Sequence, residues 1–375
     1  CPRSFALLPL MIHFDMNGCN FPKLFIKLCW IWHYVHIDKK RNTKTKIMDR
    51  RDFLKTTGLI AAIGAAPSLL SSCSSSEAKP IKQSSVPECW NTDVLVVGGG
   101  PAGVCAALAA ARQGVKVLIA EHGNCLGGMA TTGMIAPFMT CFDGEGEQMI
   151  IRGIFEEIID RLVAIGGAIH PSKVRHTTPY TAWITAGHDH VTPFDEESLK
   201  YVLDQMVIEA GIKVIYHADF VEPIIKGSAI RGAVLLTQKG LGSVVAKQVI
   251  DCTGDATVAY RSGVPCVFGN GEGGVQPSST FFTMSNVDSK KLEADVQKHL
   301  HEFRRVDGVS YRCLHWRVAQ AEAVGEWPIP DRKSINIFKR VRNDEWTVNC
   351  RRVKNIEATD SESLTEGEIA GRKQV

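Results

Sequence analysis

Apolar and polar positions change rhythm several times along the chain. Asp93-Val94-Leu95-Val96-Val97 is an unbroken apolar run after one acid, the pattern of a strand buried on both faces. The Ala-rich stretch Val104 to Gln113 reads as a helix stopped by Gly114, and Val115-Lys116-Val117-Leu118-Ile119-Ala120 reads as the next strand. Residues 148–165 place Ile150, Ile151, Ile154, Phe155, Ile158, Ile159 and Leu162 at three- and four-residue spacings, which predicts an amphipathic helix. Residues 196–210 do the same with Leu199, Val202, Leu203, Met206 and Val207, with Asp195 as N-cap and Gly211 as stop. Both helices read as core packing and neither as a site. Further on, Ile230 to Gln238 and Ser243 to Ala246 read as short strands joined by the turn Lys239-Gly240-Leu241-Gly242. This meander feeds a strand Gln248 to Asp251 that ends in Thr253-Gly254-Asp255. Near the end, Ser363 to Lys373 has the form of a helix start with Thr365 and Glu368 as a capping box.

Composition alters this picture mainly at the front. Residues 1–55 carry 11 Lys and Arg against 4 Asp and Glu, whereas the remaining residues carry 32 against 36. The overall charge of +3 is too small to suggest a nucleic-acid binder, and the body of the chain is mildly acidic. No period of 20–50 residues recurs, so a repeat architecture is disfavoured.

Residues 1–47 mix apolar runs with Cys and Trp and end in a basic stretch, and we read them as upstream sequence with Met48 as the start. Asp49-Arg50-Arg51-Asp52-Phe53-Leu54-Lys55 precedes the apolar Gly58 to Leu70 and then Ser71-Ser72-Cys73. Residues 48–73 resemble a twin-arginine export signal with a lipoprotein cleavage box, Asp49 standing where Ser or Thr is usual. That resemblance implies export of an already folded, cofactor-loaded protein to the periplasm or cell envelope, anchored by acyl chains at Cys73. Residues 74–91, rich in Ser and Pro, read as a flexible tether.

The order from Asp93 is strand, Gly98-Gly99-Gly100-Pro101-Ala102-Gly103, helix, strand, Glu121. Gly98 permits the tight turn, Gly100 lets backbone approach a pyrophosphate, and Gly103 lets helix and strand pack closely. The helix N-terminus offers N–H groups and positive dipole to phosphate, and Glu121 would accept hydrogen bonds from a ribose. The context of strand, turn, helix, strand and acid makes this a dinucleotide site.

At these residues the chain resembles the FAD-dependent oxidoreductases of the two-dinucleotide-binding type. The matching segments are Val94 to Glu121, Leu126-Gly127-Gly128-Met129, Phe194-Asp195 to Val214, and Val249 to Asp255 continuing through Pro265. The likeness implies an α/β fold: a Rossmann-like FAD/NAD(P)-binding domain, with parallel sheet plus β-meander, and an interleaved α+β substrate domain. It places the FAD-binding domain at 92–140 and 195–265, and substrate-domain segments at 141–194 and 266–375. It assigns Gly98, Gly100, Gly103 and Glu121 to the ADP half, with Pro101, Ala102 and His122 beside them. Gly127, Gly128 and Met129 approach the flavin, Thr253, Gly254 and Asp255 close the site, and backbone at Phe220-Val221 meets the adenine. In that family a final segment returns to the flavin; the sequence reads as lacking it, so weak FAD binding or none is expected.

The implied reaction moves a hydride between a small organic substrate and flavin N5, with an unidentified electron acceptor and no nucleic-acid partner. No catalytic residue is assigned. His170, Arg175, His176, Tyr180, His188 and His190 are candidates, although a polar loop above the flavin is the commoner role for such residues. His188-Asp189-His190 lacks a third ligand, and no metal site is assigned. No Cys-x-x-Cys occurs; Cys105 is expected to be buried and Cys252 to lie in a strand. Two other readings use the same motif, an NAD(P)-dependent oxidoreductase and a non-enzymatic surface lipoprotein with a nucleotide fold.

Overall fold

The computed structural model describes residues 85–374 except 186, 271–273 and 351. The twin-arginine segment, Cys73 and the tether as far as residue 84 lie outside the described residues. All described elements belong to the unit Pro80–Val375.

Six strands form the main sheet: β1 (Glu88–Val97), β2 (Val117–Ala120), β3 (Lys213–Ile215), β4 (Asp219–Lys226), β5 (Ala229–Thr237) and β6 (Gly240–Asp251). Their order is β3-β2-β1-β6-β5-β4, with β1, β2, β3 and β6 parallel and β5 antiparallel to both of its neighbours. Alternate residues of β1 and β2 serve opposite faces. Val96 and Ile119 pack with α1 (Pro101–Ala111), α2 (Ile154–Ala164) and α3 (Glu196–Glu209) through Val104, Leu108, Ile158, Leu162, Leu203 and Met206. Leu95, Val97 and Leu118 pack on the other side with Leu235, Val244 and Val258. The fold is the α/β arrangement expected, a parallel sheet extended by a meander.

Several boundaries differ from the sequence pattern. β1 begins at Glu88, inside the expected tether, because Glu88 to Thr92 pair with Ser243 to Ala246 of β6. The two stretches expected at Ser243–Ala246 and Gln248–Asp251 are one continuous strand for the same reason. The helix expected from 148 starts at Ile154. Gly153 sits at φ +69°, and the N–H groups of Ile150 and Ile151 both turn back to the Cys141 carbonyl, leaving these two side chains exposed. α3 matches its reading: Asp195 accepts from the Ser198 N–H at 2.8 Å, and Gly211 follows at φ +68°.

Beyond β6 come α4 (Thr257–Arg261), β7 (Phe282–Met284), α5 (Ser289–His299), the hairpin β8 (Arg304–Val306) and β9 (Val309–Tyr311), α6 (His315–Ala323), β10 (Asn336–Lys339), β11 (Trp346–Asn349) and α7 (Ser361–Lys373). β10, β11 and β7 make a second, antiparallel sheet. Trp183 packs there against Trp346, with Val296, Cys313 and Ile337. α7 starts earlier than expected: Asp360 caps it by accepting from the Ser363 N–H, while the Thr365 hydroxyl bonds the Ser361 carbonyl, so the Thr365–Glu368 box does not form.

The second sheet is tied to α3 by a buried ion pair. Arg340, 5% exposed, bonds both carboxylate oxygens of Glu196, 7% exposed, the Nη1 bond measuring 2.6 Å. Nη1 also reaches the hydroxyls of Thr283 and Thr347 at 3.1 and 3.2 Å. Burial opposes the charge on Arg340. The Glu196 hydrogen bonds and the neighbouring carboxylates of Glu345 and Asp195 outweigh it and raise the guanidinium pKa.

Candidate functional site

β1, β2 and β6 end together, and the turn after β1 forms the floor of a site. Gly98 has φ +98°, and its N–H bonds the Ala120 carbonyl at 2.8 Å. A Cβ there would lie 2.3 Å from the Cys252 carbonyl oxygen, and one on Gly103 would lie 1.9 Å from the Gly98 carbonyl oxygen. These two glycines are required by the backbone's own packing. Gly100 differs, since a Cβ there would meet nothing within 4 Å. Its open space lies over the start of α1, where Pro101 opens the helix and no side chain caps it. Pro101 and Ala102 are exposed, so the positive end of α1 faces this space. An uncapped helix end beside glycine-lined open space fits a pyrophosphate.

Glu121, 5% exposed, leaves the end of β2. Its two carboxylate oxygens accept from the Gly99 and Gly123 N–H groups, each at 2.6 Å. The carboxylate is thus fixed in advance between two turns, with a second lone pair on each oxygen for a ligand hydroxyl. His122 beside it is largely exposed, its Nε2 3.5 Å from Glu121 Oε1. The second glycine segment meets the first. The Gly127 N–H bonds the Gly99 carbonyl at 2.9 Å, and a Cβ on Gly128 would lie 3.0 Å from the Gly100 Cα. Thr131, 2% exposed, pins this segment by a 2.8 Å bond to the Leu126 carbonyl and leaves no room for a Cβ on Gly127. Met129, in the same turn, is 60% exposed.

The third side of the site is the turn after β6. Thr253, followed by Gly254 and Asp255, meets the Gly98 turn, its backbone nitrogen 3.1 Å from where a Gly98 Cβ would stand, and the Cys252 N–H bonds the Val97 carbonyl at 2.8 Å. Cys252 is therefore just past the strand, not in it. Asp251, which the sequence pattern did not single out, organises this turn. Oδ1 accepts from the Thr253 N–H and hydroxyl, and Oδ2 from the Ala259 N–H at 2.9 Å. Thr131 was missed likewise. In both cases the available signal was a small polar residue next to a glycine turn. Val221 lies in β4, which leaves from beside Glu121, because the Ala218 N–H bonds the Glu121 carbonyl at 3.0 Å. Cys105, expected to be buried, is only half-buried in α1, yet burial still raises its thiol pKa.

The substrate-side candidates do not form one cluster. His190, 2% exposed, is a packing residue: its ring stacks on Phe142 at 3.9 Å, and its nitrogens meet the Pro171 and Gly146 carbonyls at 2.9 and 3.0 Å. Asp189 accepts from the His176 N–H at 2.7 Å and lies 3.7 Å from Arg175. His170 bonds Ser172, and Tyr180 is half-buried in a short 3-10 turn. His188 stands apart, facing Phe338 at 6.0 Å, with Nδ1 buried and unpartnered among the described residues. Burial lowers its pKa, against the pull of the Thr181 carbonyl and aided by the charge of Arg312. Among the described residues no three His, Cys, Asp or Glu gather as a metal would require.

Residues 93–375 match the model of a family described as FAD dependent oxidoreductase. A curated relative, digoxin reductase of Eggerthella lenta, is 32% identical over 22% of this chain and 17% of its own length. Digeranylgeranylglycerophospholipid reductase of Methanoculleus marisnigri is 28% identical over 47% of this chain and 42% of its own length. The chain thus spans less than half the length of either relative. Among solved structures, a geranylgeranyl bacteriochlorophyll reductase-like protein of Thermoplasma acidophilum is 18% identical over 74% of this chain and 60% of its own, with a TM-score of 0.42.

Proposed function

This chain belongs to the FAD-dependent oxidoreductase family, whose cofactor is FAD, and from that premise we propose that it moves a hydride between a small organic substrate and flavin N5. The observation that carries the reading is the meeting of three backbone turns, at Gly98–Gly103, Gly127–Gly128 and Thr253–Asp255, around open space above an uncapped helix. When bound, FAD supplies the two-electron acceptor. The chain's own residues supply placement. The start of α1 and the open Gly100 would take the pyrophosphate, and the pre-fixed Glu121 the adenosine ribose. Gly127, Gly128 and Met129 would line the path toward the flavin, and Asp251 keeps the closing turn ordered. A carboxylate at the ribose favours a free 2′-hydroxyl and disfavours a 2′-phosphate.

We further propose export through Arg50-Arg51 and lipid anchoring at Cys73, supported by the spacing of those residues to the apolar run between them. The electron acceptor would then meet the enzyme at the cell envelope.

Equilibrium titration of the protein with FAD, read by quenching of flavin fluorescence up to millimolar concentration, tests the cofactor site. Reduction of an acceptor dye by the loaded protein, screened over organic substrates, tests the reaction. Tight NAD(P) binding with no response to FAD would overturn the proposal.

A further inference from the structure

Arg261 ends α4 and is exposed, yet its Nη1 donates to the Val221 carbonyl at 2.6 Å, across 40 positions of sequence. Among the described residues it has no carboxylate partner. Val221 is itself unusual. The register of β4 on β5 runs from Phe220↔Leu235 to Glu222↔Val234 and skips Val221, so the strand carries an extra residue there. β4 is also the outer strand of the sheet, with no further strand beyond it.

Both ends of this contact are anchored at the dinucleotide site. The His217 and Ala218 N–H groups bond the Gly123 and Glu121 carbonyls, each at 3.0 Å, so Val221 lies within about 10 Å of chain from the ribose carboxylate's own strand end. Arg261 is placed by Asp251, whose carboxylate bonds both the closing turn and the Ala259 N–H. A bulge at a sheet edge re-aims backbone polar groups, and here a planar cation fixes the carbonyl of the bulged residue. A base has no charge and is recognised by edge hydrogen bonds and its flat face, for which a fixed backbone edge is well suited.

Resting on the dinucleotide reading above, we propose that Arg261 is a positioning residue for the adenine base: by holding the Val221 carbonyl it fixes the strand edge against which the base is read. Its contribution is to base selectivity, while phosphate binding is left to α1.

The test is calorimetric titration of the protein with ADP and with UDP, which share the diphosphate and differ in the base. The parent should bind ADP about tenfold more tightly than UDP, the effect of about one hydrogen bond between the base edge and the fixed backbone. Arg261→Met and Arg261→Gln should bring ADP to the UDP level and leave UDP unchanged. Arg261→Lys, which can still reach a carbonyl, should keep most of the preference. An ADP-to-UDP ratio unchanged in Arg261→Met, equal loss of both ligands, or a lysine variant as poor as methionine would overturn the assignment alone. A parent that binds neither diphosphate, ligands that do not reach the flavin end to which the family's final segment returns, would overturn the dinucleotide reading together with it.

Discussion

Replacing Arg340 by Met removes the only cation bonded to Glu196 among the described residues and leaves that carboxylate nearly out of water. Breaking one side of a buried pair costs about 3–5 kcal/mol, because the remaining charge is neither solvated nor paired. Two threonine hydroxyls lose their partner as well, and Glu345 and Asp195, 3.4 and 4.0 Å from the guanidinium, lose a shared counter-charge. At about 2–3 °C per kcal/mol for a chain of this size, the melting midpoint should fall by roughly 6–15 °C. The assay is urea and thermal unfolding followed by circular dichroism, on the parent, Arg340→Met, Glu196→Leu and the double variant. Because apolar residues of similar volume often replace a buried pair at little cost, the double variant should recover to within about 2 kcal/mol of the parent. A single variant that loses less than about 1 kcal/mol, or a double variant whose loss equals the sum of the singles, would refute the account of a desolvated, mutually dependent pair.

The two glycines that differ in their surroundings should separate binding from folding. Gly100→Ala, entering open space at φ −64°, should leave the melting midpoint nearly unchanged and weaken FAD or ADP at least about tenfold by titration, because the backbone must come close to the phosphates. Gly103→Ala should instead lower stability by about 2 kcal/mol or more, or prevent folding, since its methyl would press on the Gly98 carbonyl. His188 is held below its ordinary pKa of 6.5, so it contributes stability that is present above pH 6.5 and lost as pH falls below it. His188→Phe should therefore flatten the loss of urea midpoint between about pH 7.5 and about pH 5.5. In native alkylation mapped by mass spectrometry, the exposed Cys89 and Cys266 should react well before Cys313, which is buried with its thiol pKa raised by that burial.

The local parts of the nucleotide fold were legible because each glycine is dictated by backbone within a few residues or by a strand end next to it. Gly98, Gly103 and Glu121 are positions where almost no other residue serves the same turn. Long-range partners left no such trace. Nothing in Glu88 to Thr92 announces pairing with β6, and a tether composition concealed the first half of β1. Ile150 and Ile151 have helical spacing, but Gly153 at positive φ cuts them off, a backbone decision that apolar periodicity does not register. Arg340 and Glu196 look like surface charges in sequence and are buried because the start of α3 meets the second sheet there. Asp251 belongs to no motif that spacing alone reveals, because the carboxylate that orders the turn stands at the strand end before Thr253-Gly254-Asp255 and bonds forward to Thr253 and Ala259.

The strand order β3-β2-β1-β6-β5-β4 also bears on how the chain is made. β1 is a central strand, and its neighbour on one side is β6, whose residues emerge from the ribosome only after roughly 150 more have been added. At about 5–20 residues per second, that is on the order of 10–30 s during which β1 and β2 have emerged with one long edge still open. The floor of the nucleotide site also depends on Cys252, which follows β6, so it cannot be complete before then. Slow codons or a chaperone acting between residues 120 and 250 would thus affect yield more than the same intervention later in the chain.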